Sequence, residues 1–257
     1  GGVFLRLFIS NPGWVLRKPR EFMTELLEKW VQITANNTTN GEMLETVTAA
    51  LVSFFSAQPT MLDQVPQLGH IPSLFKRMSS RNDAIPKSAI QIVHQLAVSP
   101  VCVRAMTQTD SVGPLKVGMQ SRRDMIGLAA EALNNMFSKN EDDLVEQALK
   151  VEMVQFMVKL LETGLEQQEN PAGTKAQIVK ALKAMQQSLK FGEEVTAILE
   201  KFSVWREYRD QKHDLFISDR PIAGALTGPG VAGYLTSGRS TNATTVPDAP
   251  PPIHHDE

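Results

Sequence analysis

The sequence repeats itself at an interval of about 41 residues, and that period restricts the possible folds more than any single motif does. Leu51, Ile92 and Leu133 stand 41 residues apart, and Leu182 follows after a further eight. Val103 matches Leu144, Val112 matches Met153, and Met78 matches Met119 and Leu160 at the same spacing. Self-similarity at a fixed interval of this length marks a stack of identical supersecondary units. Each unit is too small to bury its own apolar face, so it is stabilised by its neighbours, and the result is one long surface. A chain of this kind is expected to be a binding scaffold first.

Inside each period the apolar spacing is helical. Pro19 opens a helix with Phe22, Met23, Leu26, Leu27 and Trp30 at three-and-four spacing, ended by the polar run Asn36 to Gly41. A second helix runs from Glu42 to about Ala57, with Leu44, Val47, Leu51, Phe54 and Phe55 on one side. Three-helix units follow. The first has helices from Pro59 to Gly69, Ile71 to Met78 and Ile85 to Val98. Pro100, 41 residues after Pro59, starts the set again with Val101 to Thr107, Val112 to Met119 and Met125 to Phe137. The third set is Asp142 to Ala148, Val151 to Leu161 and Lys175 to Leu189, with Gly164 to Gly173 as a polar loop absorbing the eight extra residues. Helices over Glu193 to Phe202 and Val204 to Asp210 close the stack. A period of roughly 40–47 residues belongs to the armadillo and HEAT class. The expected fold is therefore all-α, a right-handed superhelical solenoid of about four repeats over residues 1–210.

The two ends read differently. Val3 to Ile9 is apolar, broken by Arg6 and too short to span a bilayer. It lacks the polar cap with which repeat arrays end, so further repeats are expected before Gly1. After Asp210 the composition turns to Gly, Pro, Ser, Thr and Ala, and too little apolar surface remains to offset the entropy of ordering. Residues 211–257 are expected to form a largely disordered tail. Its exception is the apolar cluster Asp214, Leu215, Phe216 and Ile217, which either folds back onto the last helix or serves as a short linear motif.

The remaining chemistry is sparse. With 26 basic and 28 acidic residues the net charge is −2, which argues against a general affinity for nucleic acid. A lone cysteine, Cys102, excludes an intramolecular disulfide and favours a reducing compartment. His70, His94, His213, His254 and His255 have no partners at metal-ligand spacing, so no metal or other cofactor is expected. Neither a phosphate loop nor a nucleophile motif can be assembled, and the chain reads as non-catalytic. Three basic clusters stand out: Arg17 with Lys18 and Arg20, Arg77 with Arg81, and Arg122 with Arg123. They are either solvated surface or, where two share a ridge, a site for an acidic partner or phospholipid headgroup.

The segment Glu131 to Phe137 resembles the armadillo third-helix pattern Ala-Leu-x-Asn-Leu. In that family the Asn projects into a groove and bonds the backbone of an extended peptide, which suits an amide that donates and accepts at once. The resemblance places this role on Asn135. Its counterparts by the repeat are Ser53, His94 and Ala184, so the ladder of Asn residues is missing. His94 and Asn135 are expected side by side in the groove.

Longer strings carry a second resemblance. Gly1 to Ile9, Asn11 to Phe22, Asn82 to Ile90, Thr174 to Met185, Asp210 to Ser218 and Gly228 to Thr236 are similar to the end of the large endosomal J-domain proteins of DnaJ subfamily C. That resemblance implies a cytoplasmic, peripheral place on early endosomes and a role in clathrin removal and retromer-linked recycling. Its implied partners are a sorting nexin, a WASH complex component and the chaperone Hsc70. The His-Pro-Asp triplet through which a J domain acts is absent here, so contact with Hsc70 and with the membrane would run through other parts of such a protein. What the resemblance leaves for this chain is a docking surface for proteins. The alternatives are an armadillo-type peptide adaptor unrelated to chaperones, or a regulatory subunit of an enzyme complex.

Overall fold

The computed structural model describes residues 2–36 and 40–210, and these form helices and turns with no strand among them. In chain order the α-helices are α1 (Gly2–Ser10), α2 (Pro19–Ile33), α3 (Gly41–Ala57), α4 (Ile71–Lys76), α5 (Ala84–Leu96), α6 (Pro100–Met106) and α7 (Val112–Ser121). They continue as α8 (Ile126–Phe137), α9 (Asp142–Lys150), α10 (Met153–Thr163), α11 (Pro171–Gln186), α12 (Gly192–Leu199) and α13 (Ser203–Arg209). Pro59–Leu68 is a 3-10 helix where an α-helix was expected. Pro66 lies inside it and has no N–H to give, and Gly69 then ends it in the left-handed conformation at φ 73°.

Packing follows the repeat. The third helices α3, α5, α8 and α11 stack one on the next as a ladder, and behind them the second helices α7 and α10 contact each other and their flanking elements. Leu51, Ile92, Leu133 and Leu182, which define the period, are all fully buried. Met78, Met119, Val103, Leu144, Val112 and Met153 are fully buried as well, so the register holds on the core side of all three helix types. The chain is an all-α solenoid whose core runs along its length.

Polar groups link adjacent repeats at the helix ends. The first four N–H groups of a helix lack partners within it, and side chains supply them. Asn40 accepts from the N–H of Glu42 and Met43 at the start of α3. Ser99 accepts from Cys102 N at the start of α6 while its hydroxyl donates to Asp63 of the preceding 3-10 helix, 2.7 Å away. Gln147 on α9 reaches back to α7, where its Oε1 accepts from Ser111 N and Val112 N and its Nε2 donates to Thr109 O.

Two boundaries differ from the sequence expectation. The helix α11 starts at Pro171, so the connecting loop is shorter than Gly164 to Gly173, and part of the eight-residue excess lengthens the helix itself. Asn170 makes this possible, because its side chain accepts from Gly173 N at 2.9 Å and caps the helix one turn early. At the other end α11 stops at Gln186, which leaves Leu189 on a turn and 97 % exposed.

Deeper in the stack a relay of hydrogen bonds ties three helices together. Trp30 Nε1 on α2 donates to Ser88 Oγ on α5 at 2.6 Å, and Ser88 Oγ lies 2.6 Å from Thr48 Oγ1 on α3. Thr48 in turn donates to Leu44 O, so every polar atom of the chain of bonds is satisfied although all three residues are buried.

Candidate protein-interaction face

The third helices leave one stripe of each open to solvent. On α5 the partly exposed residues are Ala84, Lys87, Gln91 and Gln95, at three-and-four spacing; on α8 they are Glu131, Asn134 and Asn135. On α11 Gln177 turns toward α8 and accepts from Asn134 Nδ2 at 2.8 Å, while Gln186 turns toward α12 and donates to Thr196 Oγ1 at 3.0 Å. Ile178, Leu182 and Met185 point into the core. Lys180 and Lys183 are left on the face between, opposite the core side.

Asn135 is half-buried on this face, and its side-chain amide makes no hydrogen bond among the described residues. His94 is placed differently from the expectation. It is 8 % exposed and lies between α5 and α8, with Nε2 3.3 Å from Glu131 Oε2. That contact becomes an ion pair when the imidazole is protonated, but it is not a hydrogen bond, and neither ring nitrogen has a hydrogen-bond partner among the described residues. The physical reason is the stacking of α8 on α5, which covers His94 with a side chain from the next repeat. The residue in line with Asn135 on the open stripe is Gln95, 40 residues earlier instead of 41. Gln95 accepts from Ser56 Oγ of α3 at 3.3 Å, so side-chain hydrogen bonds cross the α3–α5 and α8–α11 steps of the ladder.

Two hollows adjoin this face. Between α3 and α5 a cleft of about 450 Å³ has a floor of Leu44, Ala49 and Val52, with Glu45 on one wall and Lys87 and Gln91 on the other. A second, of about 750 Å³, opens between α1, α2 and α3 over Phe4, Leu5, Phe22, Leu26, Met43 and Val47. Its rim holds Glu25, Lys29 and the Arg6–Glu42 ion pair. Phe22 anchors an aromatic cluster there, 5.9 Å from Phe4, 5.0 Å from Phe8 and 5.8 Å from Phe54 between ring centres.

The basic clusters are dispersed. Arg17 is exposed, Lys18 pairs with Glu21 at 2.9 Å, and Arg20 donates to Gln67. The loops carrying Arg81 and Arg122–Arg123 do meet, because Arg122 Nη1 donates to Asp83 O at 3.0 Å and Gln168 Nε2 donates to Arg123 O. Asp83, Asp124, Glu166 and Glu169 are exposed on the same loops, however. Arg122 makes two hydrogen bonds to the Asp124 carboxylate; these hold that carboxyl below its usual range and push the guanidinium above its own. Arg77 is half-buried, with its Nε enclosed. This ridge is electrostatically mixed, not basic.

Cys102 is buried with its thiol donating to Leu62 O at 3.1 Å, and burial pushes its pKa up to about 11. Among the described residues there is no cluster of three or more His, Cys, Asp or Glu able to hold a metal ion. No described helix is long and apolar enough to cross a membrane. The tail cluster Asp214 to Ile217 lies outside the described residues.

No protein-family model matches the chain, and no solved structure matches it. Among curated proteins it is similar to DnaJ homolog subfamily C GRV2 of Arabidopsis thaliana, with 28 % identity across 99 % of this chain. The chain spans only 12 % of the length of that relative. Over essentially its whole length, then, this solenoid is similar to one part of a much longer DnaJ subfamily C protein.

Proposed function

We propose that this solenoid is a non-catalytic docking scaffold within an endosomal J-domain cochaperone, and that partner proteins engage the open face of its third helices. The observation that carries the reading is the stripe Lys87, Gln91, Gln95, Asn135, Lys180 and Lys183. It presents hydrogen-bonding side chains along a rigid ladder of helices. Amides and ammonium groups held at fixed spacing suit a polypeptide ligand, because every peptide backbone offers both donors and acceptors. Similarity to a DnaJ subfamily C protein along the chain supports the cochaperone context.

The finer assignment within this proposal is to the subfamily's member 13, the large endosomal protein required for receptor-mediated endocytosis, on the strings quoted above. A sorting nexin and a component of the WASH complex are then the partners to try first, on the cytoplasmic side of early endosomes. Hsc70 would be recruited through a J domain elsewhere in the protein. Pull-down from cytosol with the whole chain as bait, followed by mass spectrometry, tests the reading. Recovery of endosomal sorting proteins, reduced at least tenfold by combined Ala substitution of Gln91, Gln95, Asn135 and Lys180, is the expected result. Recovery unaffected by those substitutions would move the interaction to another face.

A further inference from the structure

Charge on the open side of the third helices changes sign from one helix to the next. Glu45 stands there on α3, Lys87 on α5, Glu131 on α8, and Lys180 with Lys183 on α11. Counted from the buried residues that mark the period, Glu45 lies six residues before Leu51, Lys87 five before Ile92, Glu131 two before Leu133 and Lys180 two before Leu182. The spread of four residues is only about 6 Å along a helix axis, so the charges form a line across the helices. Among the described residues Glu45, Lys87, Lys180 and Lys183 make no ion pair, and Glu131 is within ion-pair distance of His94 alone.

We propose that this line selects an extended partner segment in which basic and acidic residues alternate at every third position. The spacing follows from geometry: neighbouring helices lie about 10 Å apart, which an extended chain covers in roughly three residues. An acid on Lys87 and an acid on the Lys180 and Lys183 pair are two helix steps apart, about six residues. The residue midway falls on α8 beside Glu131, where an acid is repelled and a Lys or Arg is matched. One step beyond Lys87 the segment reaches Glu45 and the cleft floored by Leu44, Ala49 and Val52. A basic residue suits that place, because its aliphatic stem covers the apolar floor while its charged head meets the carboxylate. Gln91, Gln95 and Asn135 on the same side offer amides to the backbone between these anchors.

This inference rests on the third-helix face being a docking surface, and it names the chemistry of what docks there. Repulsion does as much as attraction: a segment shifted by one helix step sets every charge against its like, which fixes the register.

The test is fluorescence polarisation of the full chain with labelled peptides at low ionic strength. The alternating peptide Lys-Ser-Ala-Glu-Ser-Ala-Lys-Ser-Ala-Glu should bind about fivefold more tightly than Lys-Ser-Ala-Lys-Ser-Ala-Glu-Ser-Ala-Glu, which has the same composition in blocks. Changing the last Glu of the alternating peptide to Lys should weaken binding to the native chain and strengthen binding to the double variant Lys180→Glu, Lys183→Glu. That reciprocal swap separates a charge contact from a loss of folding. Equal affinity for the two orders, a variant that weakens all peptides alike, or no binding by any of them would each overturn the proposal. Equal affinities that still fall on Gln95→Ala with Asn135→Ala would leave the face a docking surface and remove only the charge rule. Binding indifferent to those amide variants as well would remove the docking reading itself.

Discussion

Ser88 is the hinge of the relay between α2, α3 and α5, and replacing it with Ala isolates the cost of breaking one buried hydrogen bond. Trp30 is fully buried, so after Ser88→Ala its indole N–H has neither the serine oxygen, now 2.6 Å away, nor water to replace it. Thr48 keeps its bond to Leu44 O and stays satisfied. One orphaned donor in an apolar setting costs about 1–3 kcal/mol. The methyl of Ala fills most of the space of the serine side chain, so the cavity term is small beside it. A destabilisation of about 2 kcal/mol lowers Tm by roughly 4–8 °C in a domain of this size. Urea unfolding followed by circular dichroism reads it directly, as a lower midpoint with unchanged m. A double-mutant cycle with Trp30→Phe assigns the loss to the pair, with an expected coupling of about 1–2 kcal/mol. If Ser88→Ala changed stability by less than about 0.5 kcal/mol, the relay would not be an energetic link between these helices.

Other outcomes follow from the same packing. Leu133→Ala removes a fully buried side chain in α8 and should cost about 2–5 kcal/mol, measured by the same unfolding curves. Asn135→Ala, at a half-buried residue without a side-chain hydrogen bond, should leave Tm within about 2 °C while weakening partner binding by about 1–3 kcal/mol in titration calorimetry. Cys102 should resist an aromatic disulfide reagent at pH 8 in the native chain and react fully once unfolded, since burial keeps it a neutral thiol. Its folded pKa of about 11 lies above the unfolded value of 9.0, so its contribution to stability is intact below about pH 9 and falls away as pH rises through about 11.

The sequence carried the architecture because its period is written in buried residues. Leu51, Ile92, Leu133 and Leu182 had to recur wherever a third helix meets the core, and the prolines at 19, 59 and 100 punctuated helix starts through their missing N–H. The start of α11 was hidden because Gly173 reads as loop, while the Asn170 cap that brings it into the helix is a local bond with no periodic signature. The 3-10 geometry of Pro59–Leu68 was concealed for a similar reason, since its apolar spacing at Met61, Leu62 and Val65 suits either helix. On the open face the register misled by one residue. Core contacts recur at 41, but exposure steps by 40 from Gln95 to Asn135, because what covers His94 is Glu131 of the following repeat. Such contacts between repeats leave no trace in one helix read alone. The relay from Trp30 to Ser88 spans 58 residues and is equally invisible in the sequence.

The central claim is that partners bind the third-helix face. Hydrogen exchange of the full chain, with and without a purified sorting nexin or WASH component recovered in the pull-down, tests it most directly. The account predicts added protection confined to α5, α8 and α11, at and around Gln91, Gln95, Asn135 and Lys180. Protection appearing instead on α6, α7, α9 or α10, with the third helices unchanged, would contradict it.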